Sequence, residues 1–473
     1  MASSYSAIGV GFDIACSGYF SPHPSPLPGV PGRGDNTVIT LRFIPSVYLL
    51  FDIFYLLFVV YFPASQITLE ESLSLDGPPD ANVVIGGQVY QYHLGSGYYA
   101  LQAHPEVLAA ACNATLQYGI SSGASRAAFI APPIFEVEHK TAQALGTENA
   151  IYCESRHLAN QILLDTIQGT FDRVFLDEAA HGSLRDAIKI LRGIAATPVL
   201  FAHRDANDLK TQLDKTLRPY ERPLVVTDGV FFTNGEIAPL AEYDALLTDY
   251  AGAAVLLDDS HGFAVLGQNA RGTLEHYDYE PSRANRTILE APEPFGQSGS
   301  ERTFFTNPKA IAPQTPVRYY FSVALSKAIG SSGAVLPGSE MFVQRILERS
   351  RSIYETSLPS TPIAAATVKG LEWIFQRNEI RDALKANTQS LKRNLRKLGI
   401  TTNETPVPVI TFQLGSAHNM RRIQRELAQE RILISYIPRS PGIGPDGLLH
   451  ISVFATHTSE QLDHLIDTMS RII

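Results

Sequence analysis

LLDDSHGFAVLGQNARGTLEHY, residues 256–277, joins an apolar run to a polar, glycine-rich loop. With AAV before it, the run AAVLLDD (253–259) has apolar residues on both of its alternating faces, the mark of a strand covered on both sides. Four runs upstream read the same way: AIYCES (150–155), RVFLDE (173–178), TPVLFAH (197–203) and PLVVTDG (223–229). Each is followed by a helical stretch. Strands of this kind alternating with helices predict an α/β fold with a mostly parallel sheet covered by helices on both faces. PEVLAAACNATLQY (105–118) and FEVEHKTAQALG (135–146) have helical spacing, and Gly146 suits a helix end. Beyond Met341 come a helix, three strand-like runs (407–415, 432–437, 448–455) and a last helix from Ser459, which predict a smaller α+β domain.

The chain has 473 residues, 45% apolar and 18% charged, which excludes a mostly disordered protein. A net charge of −9 argues against nucleic-acid binding. Three scattered cysteines without a CxxC give neither a disulfide framework nor a cysteine metal site, and no metal is expected. They fit a reducing, cytoplasmic setting. The expected division is an atypical N-terminal segment 1–65, a large domain 66–345 and a small domain 346–473. Residues 1–65 contain no lysine, and 21–34 hold five prolines and three glycines. FIPSVYLLFDIFYLLFVVYF (43–62) is long enough to cross or lie on a membrane, although Asp52 would cost about 2.5–3.5 kcal/mol at the bilayer centre. The Pro- and Ser-rich stretch 279–317 reads as a surface insertion.

In parallel sheets, ligands sit beyond the carboxyl ends of the strands. There stand His203, Asp228, the Asp258-Asp259-Ser260-His261 run and the stretch Ser322–Lys327. A lone aspartate at a strand end is more often a helix cap than a catalyst. The combination is more specific: a strand ending Asp-x-x-His, then Ser-Lys-Ala-x-Gly, supplies what pyridoxal phosphate needs. The cofactor requires a lysine for a Schiff base and a carboxylate to keep its pyridine nitrogen protonated. Lys327 and Asp258 meet these needs. His261 is placed near the ring's phenolic oxygen, and His181 in LDEAAHGSL is a candidate to stack on the ring.

From about Gly95 to Thr468 the chain resembles the α-oxoamine synthases, fold-type-I pyridoxal-phosphate enzymes of the aminotransferase class I/II group. That family includes 8-amino-7-oxononanoate synthase, 2-amino-3-ketobutyrate CoA ligase and serine palmitoyltransferase. The resemblance runs through YGISSGASR (118–126), AHGSLRDAI (180–188), FAHRD (201–205), VVTDGVFFTNGEIAPLAEY (225–243), LLDDSHGFAVLGQNARGTLEHY, ALSKAIGSSGAVLPGSE (324–340) and ISVFATHTSEQLDHL (451–465). It implies condensation of an amino acid with an acyl thioester, with loss of carbon dioxide, at a homodimer interface. Lys327, His181 and Asp258 are then catalytic, Asp228 is a ring-side acid, and the backbone at Ser155, Arg156 and His157 meets the phosphate. An aminotransferase, a carbon–carbon lyase or an impaired partner subunit are the alternatives.

The chain departs from the family in several places. Ala324 stands for a phosphate-binding threonine, and Arg156 for a small residue, where its guanidinium is expected to bind the phosphate. Phe232 stands for serine. Leu448 stands for the arginine that binds the amino-acid carboxylate, with His450 at the second basic position and Arg439 as an alternative cation.

Overall fold

The computed structural model describes residues 74–286 and 316–473, apart from 192 and 194–196. The segments 1–65 and 43–62 and most of the 279–317 insertion lie outside the described residues. Among those described, no helix is long and apolar enough to cross a membrane.

The first pair of strands, β1 (Asn82–Ile85) and β2 (Gln88–Tyr92), forms an antiparallel hairpin. Next come β3 (Asn149–Cys153), β4 (Arg173–Asp177), β5 (Val199–Phe201) and β6 (Pro223–Asp228). The short antiparallel pair β7 (Val230–Phe231) and β8 (Glu236–Ile237) precedes β9 (Ala254–Asp258), β10 (Arg318–Ala324) and β11 (Ala334–Gly338). Seven of these make one sheet in the order β3-β11-β10-β9-β6-β4-β5. Strands β10, β9, β6, β4 and β5 are parallel, and β11 is antiparallel to both of its neighbours.

The doubly apolar strands serve two cores. Phe175, Val225, Val255 and Leu257 join one apolar cluster. Val174, Leu176, Leu224, Val226 and Leu256 join the other. Successive side chains point to opposite faces of a strand, so one run fills both. Both expected early helices form, as Pro105–Tyr118 and Pro132–Leu145. Gly146 ends the second with φ 72°, a conformation that glycine adopts without strain.

The C-terminal strands are β12 (Val409–Phe412), β13 (Ile432–Leu433), β14 (Ser435–Ile437) and β15 (Leu448–Ser452). The sheet β12-β15-β14 has its own core, including Ile410, Ile423, Ile451 and Leu465. β13 instead pairs in parallel with β2, which sets residues 82–92 beside the C-terminal strands. The division expected at 345/346 falls inside the helix Glu340–Arg349. We propose a boundary after that helix, with the β1–β2 hairpin counted in the small domain.

Candidate active site

β6 and β9 run side by side in register, so Asp228 and Asp258 are direct partners at the carboxyl ends of their strands. Both are buried. The Arg156 guanidinium bridges them. Its Nε donates to Asp258 Oδ2 at 2.5 Å and one Nη donates to Asp228 Oδ1 at 2.6 Å. Arg156 opens the helix Arg156–Ile167, whose preceding residue Ser155 caps it by accepting a bond from the Leu158 N–H at 3.2 Å.

The two carboxylates are not equivalent. Burial works to raise the Asp258 pKa. The Arg156 charge and hydrogen bonds from Arg156, Ser260 and Asn160 outweigh it, so Asp258 is held below the usual carboxylate range. Burial pushes Asp228 up to about 7, against the pull of Arg156. Two like charges this close in low dielectric drive one of the pair toward its protonated form.

Around Asp258 every acceptor position is used. Oδ1 accepts from the Ser260 hydroxyl at 2.5 Å and its N–H at 3.2 Å. Oδ2 accepts from Asn160 Nδ2 at 2.7 Å as well as from Arg156, with the Ser183 hydroxyl a longer donor at 3.5 Å. Asn160 is buried and fixed in turn, donating to Ser183 Oγ at 3.0 Å and accepting from Ser322 Oγ at 2.6 Å. Asp259, one residue on, is a structural acid. It accepts from the Thr273 hydroxyl at 2.6 Å and its N–H at 2.8 Å. A Cβ at Gly262 or Gly272 would come within 2.0 Å of an Asp259 carboxylate oxygen, so both positions require glycine.

His181 precedes the helix Gly182–Ile188 and accepts a bond from the Ser183 N–H at 3.1 Å. Its own N–H donates to Asp228 Oδ2 at 2.7 Å. Burial, then the Arg156 charge, lowers its pKa to about 3, so it is neutral. His157 is exposed and sets its ring edge-on to His181, 5.9 Å between centroids. His261 is buried, lies 3.0 Å from the Tyr98 hydroxyl through Nδ1, and stacks on Phe232 with centroids 4.9 Å apart. Burial and the nearby Lys327 charge keep it neutral. Phe232 also meets the ring of His450, 4.7 Å away.

Lys327 lies in the turn after β10, half-buried; its carbonyl accepts from the Gly330 N–H at 2.9 Å, and its side-chain amine has no hydrogen bond or ion pair to another described residue. Burial, then the Arg156 charge, lowers its pKa, and Asp258 opposes them. The Arg156 charge acts on Asp258, His181, His261 and Lys327 alike, so the four form one electrostatic cluster around it. His203 is elsewhere: its two ring nitrogens face Asp177 and Asn234, each at 3.0 Å. Leu448 is buried and lines, with His203, Asn234, Thr411 and Gln413, a cavity of about 330 Å³. Arg439 is exposed.

A family model described as aminotransferase class I and II matches residues 90–469. The chain belongs to that family. It is 30% identical to the 8-amino-7-oxononanoate synthase of Methylococcus capsulatus, over 84% of this chain and 92% of the relative. The same enzyme name attaches to a relative from Cellvibrio japonicus, 30% identical over 84% and 90% of the two chains. In fold it is similar to serine palmitoyltransferase from S. paucimobilis, with a TM-score of 0.71 at 22% identity, covering 86% of this chain and 94% of that one. It is an α-oxoamine synthase family member, a pyridoxal-phosphate-dependent transferase of the acyltransferase type.

The residues present fit that cofactor in kind. Lys327 is an amine without a partner among the described residues and with a lowered pKa, Asp258 is a buried, ionised carboxylate, and His181 and His261 are neutral imidazoles at the same strand ends. The Arg156 guanidinium, expected to bind the phosphate, pairs here with the two aspartates, because two buried carboxylates in register need a counter-ion. Asn160 was missed by sequence reasoning; Ser183, Ser260 and Ser322 stood only within longer stretches, with no role in fixing Asp258 assigned to them. Asn160 sits four residues after Arg156, one turn along the same helix, and that spacing was the available signal.

Proposed function

We propose that this α-oxoamine synthase condenses an amino acid with an acyl thioester to give an α-amino ketone, carbon dioxide and a free thiol. The observation that carries this reading is the convergence of Lys327, Asp258, His181 and His261 at the carboxyl ends of one parallel sheet, in a chain that spans 92% of an 8-amino-7-oxononanoate synthase. Bound pyridoxal phosphate supplies an electron sink for the substrate carbanion. In this reading Lys327 holds the cofactor and moves the proton of the amino acid's α-carbon. Asp258, kept ionised, holds the ring nitrogen's charge. His181 stacks on the ring, His261 sits beside its phenolic oxygen, and Asp228 is the acid next to them. The backbone at Ser155, Arg156 and His157, at a helix N-terminus, receives the phosphate.

The setting we propose is cytoplasmic, in keeping with the free thiols of Cys112 and Cys153, and the active form is a homodimer. The apolar Leu448 and the uncharged His450, whose pKa burial lowers to about 4, leave the substrate carboxylate without the family's cationic partner at these positions. This favours a substrate range different from that of the relatives. Incubation of the purified protein with amino acids and an acyl-CoA tests the reading. Coupled release of thiol and carbon dioxide is expected. Conversion of a keto acid without thiol release would assign an aminotransferase instead.

A further inference from the structure

The acceptor sites of Asp258 are already full. A carboxylate offers about four lone-pair directions. Ser260 uses two on Oδ1, and Asn160 and Arg156 use those on Oδ2, where the Ser183 hydroxyl adds a longer bond at 3.5 Å. A protonated ring nitrogen is one donor more. It can bind closely only if one of the short donors retreats. Ser260 is held by its own strand end and donates within two residues. Asn160 is locked between Ser183 and Ser322 in the core. Arg156 is different. It reaches Asp258 through a long flexible side chain, and its other bond, to Asp228 at 2.6 Å, gives the guanidinium a second place to rest. The family carries a small residue at this position, so the competition is particular to this chain.

We propose that Arg156 is an internal competitor for the cofactor: it holds Asp258 in the cofactor-free protein and moves onto Asp228 alone when the ring nitrogen seats. This rests on the reading that the protein takes pyridoxal phosphate with Asp258 at the ring nitrogen. Arg156 then stabilises the empty protein and opposes loading.

Titration of cofactor-free protein with pyridoxal phosphate, followed by absorbance and fluorescence, tests this. Arg156→Gly and Arg156→Gln should lower the Kd by about tenfold and speed loading, while lowering the Tm of the cofactor-free form. Arg156→Lys keeps a cation and guards against misfolding; it should fall between wild type and Arg156→Gln. With a cofactor analogue that has carbon in place of the ring nitrogen, the gain of the variants should vanish, because that analogue makes no claim on Asp258. Equal or weaker binding of pyridoxal phosphate by the Gly and Gln variants overturns the competitor role alone. Failure of wild type and every variant to take up the cofactor overturns the underlying reading as well.

Discussion

Asp228 and Asp258 are register partners on adjacent parallel strands, and a single guanidinium joins them. The pair therefore divides its roles by environment. Asp258, the better solvated by donors, stays ionised, and Asp228 takes the proton as its pKa rises to about 7. Asp258→Asn keeps the size and removes the charge. Turnover should fall by about 100- to 1,000-fold, the scale seen when a preorganised electrostatic partner is removed. Steady-state kinetics with saturating cofactor checks this, and near-normal turnover would place the ring's counter-charge elsewhere.

Lys327→Ala should abolish the visible absorbance of the lysine-bound cofactor. Borohydride reduction followed by peptide mapping should label Lys327 in the wild type. A label on any other lysine would remove Lys327 from its role.

His457 is packed against His93, rings stacked with centroids 4.2 Å apart, and accepts the Phe454 N–H at 3.0 Å. Burial lowers its pKa to about 4. In the unfolded chain it takes a proton near pH 6.5, so between the two values the unfolded state binds more protons. Its contribution to stability is complete above pH ~6.5 and is lost as the pH falls through about 4, on the order of 3 kcal/mol at one pKa unit per ~1.4 kcal/mol. Urea denaturation at pH 7 and pH 4 should show a smaller acid loss for His457→Gln than for wild type. Equal losses would show that His457 is not a contributor.

Gly262→Ala forces a methyl group to within 2.0 Å of Asp259 Oδ1, in a pocket with no room. The expected cost is about 1–3 kcal/mol, typical of overpacking, read as a lower Tm. An unchanged Tm would mean that the loop yields freely.

Tyr98→Phe removes the hydroxyl 3.0 Å from His261 Nδ1. Leaving a buried ring nitrogen without that partner should cost about 1–3 kcal/mol and disturb the cofactor's absorbance maximum. Unaltered spectrum and stability would dismiss Tyr98 as a support for His261.

The parallel sheet was legible because its strands are apolar on both faces, as at Leu224–Val226 and Ala254–Leu257. The antiparallel β11 was not, because Pro337 and two glycines in GAVLPG argue against a strand. Asp258, His261, His181 and Lys327 stand at strand ends, where pattern and chemistry coincide. The conduct of Arg156 was hidden, because a side chain that spans from a helix start to two strand ends depends on the packing of three elements distant in sequence. The role of Asn160 was hidden for the same reason: its partners Ser183, Asp258 and Ser322 come from different parts of the chain.

The β1–β2 hairpin has a consequence for the protein's birth. Gln91 donates its side-chain amide to the carbonyl of Gln461, 370 residues onward, and β2 waits for β13 to complete its edge. During synthesis these early strands leave the ribosome long before their partners exist. Contacts so far apart are slow to close, and an unpaired strand edge invites wrong pairing in the interval. The nascent chain thus carries its vulnerable edge for most of its translation, and a chaperone that shields residues 82–92 would raise the yield of the folded enzyme.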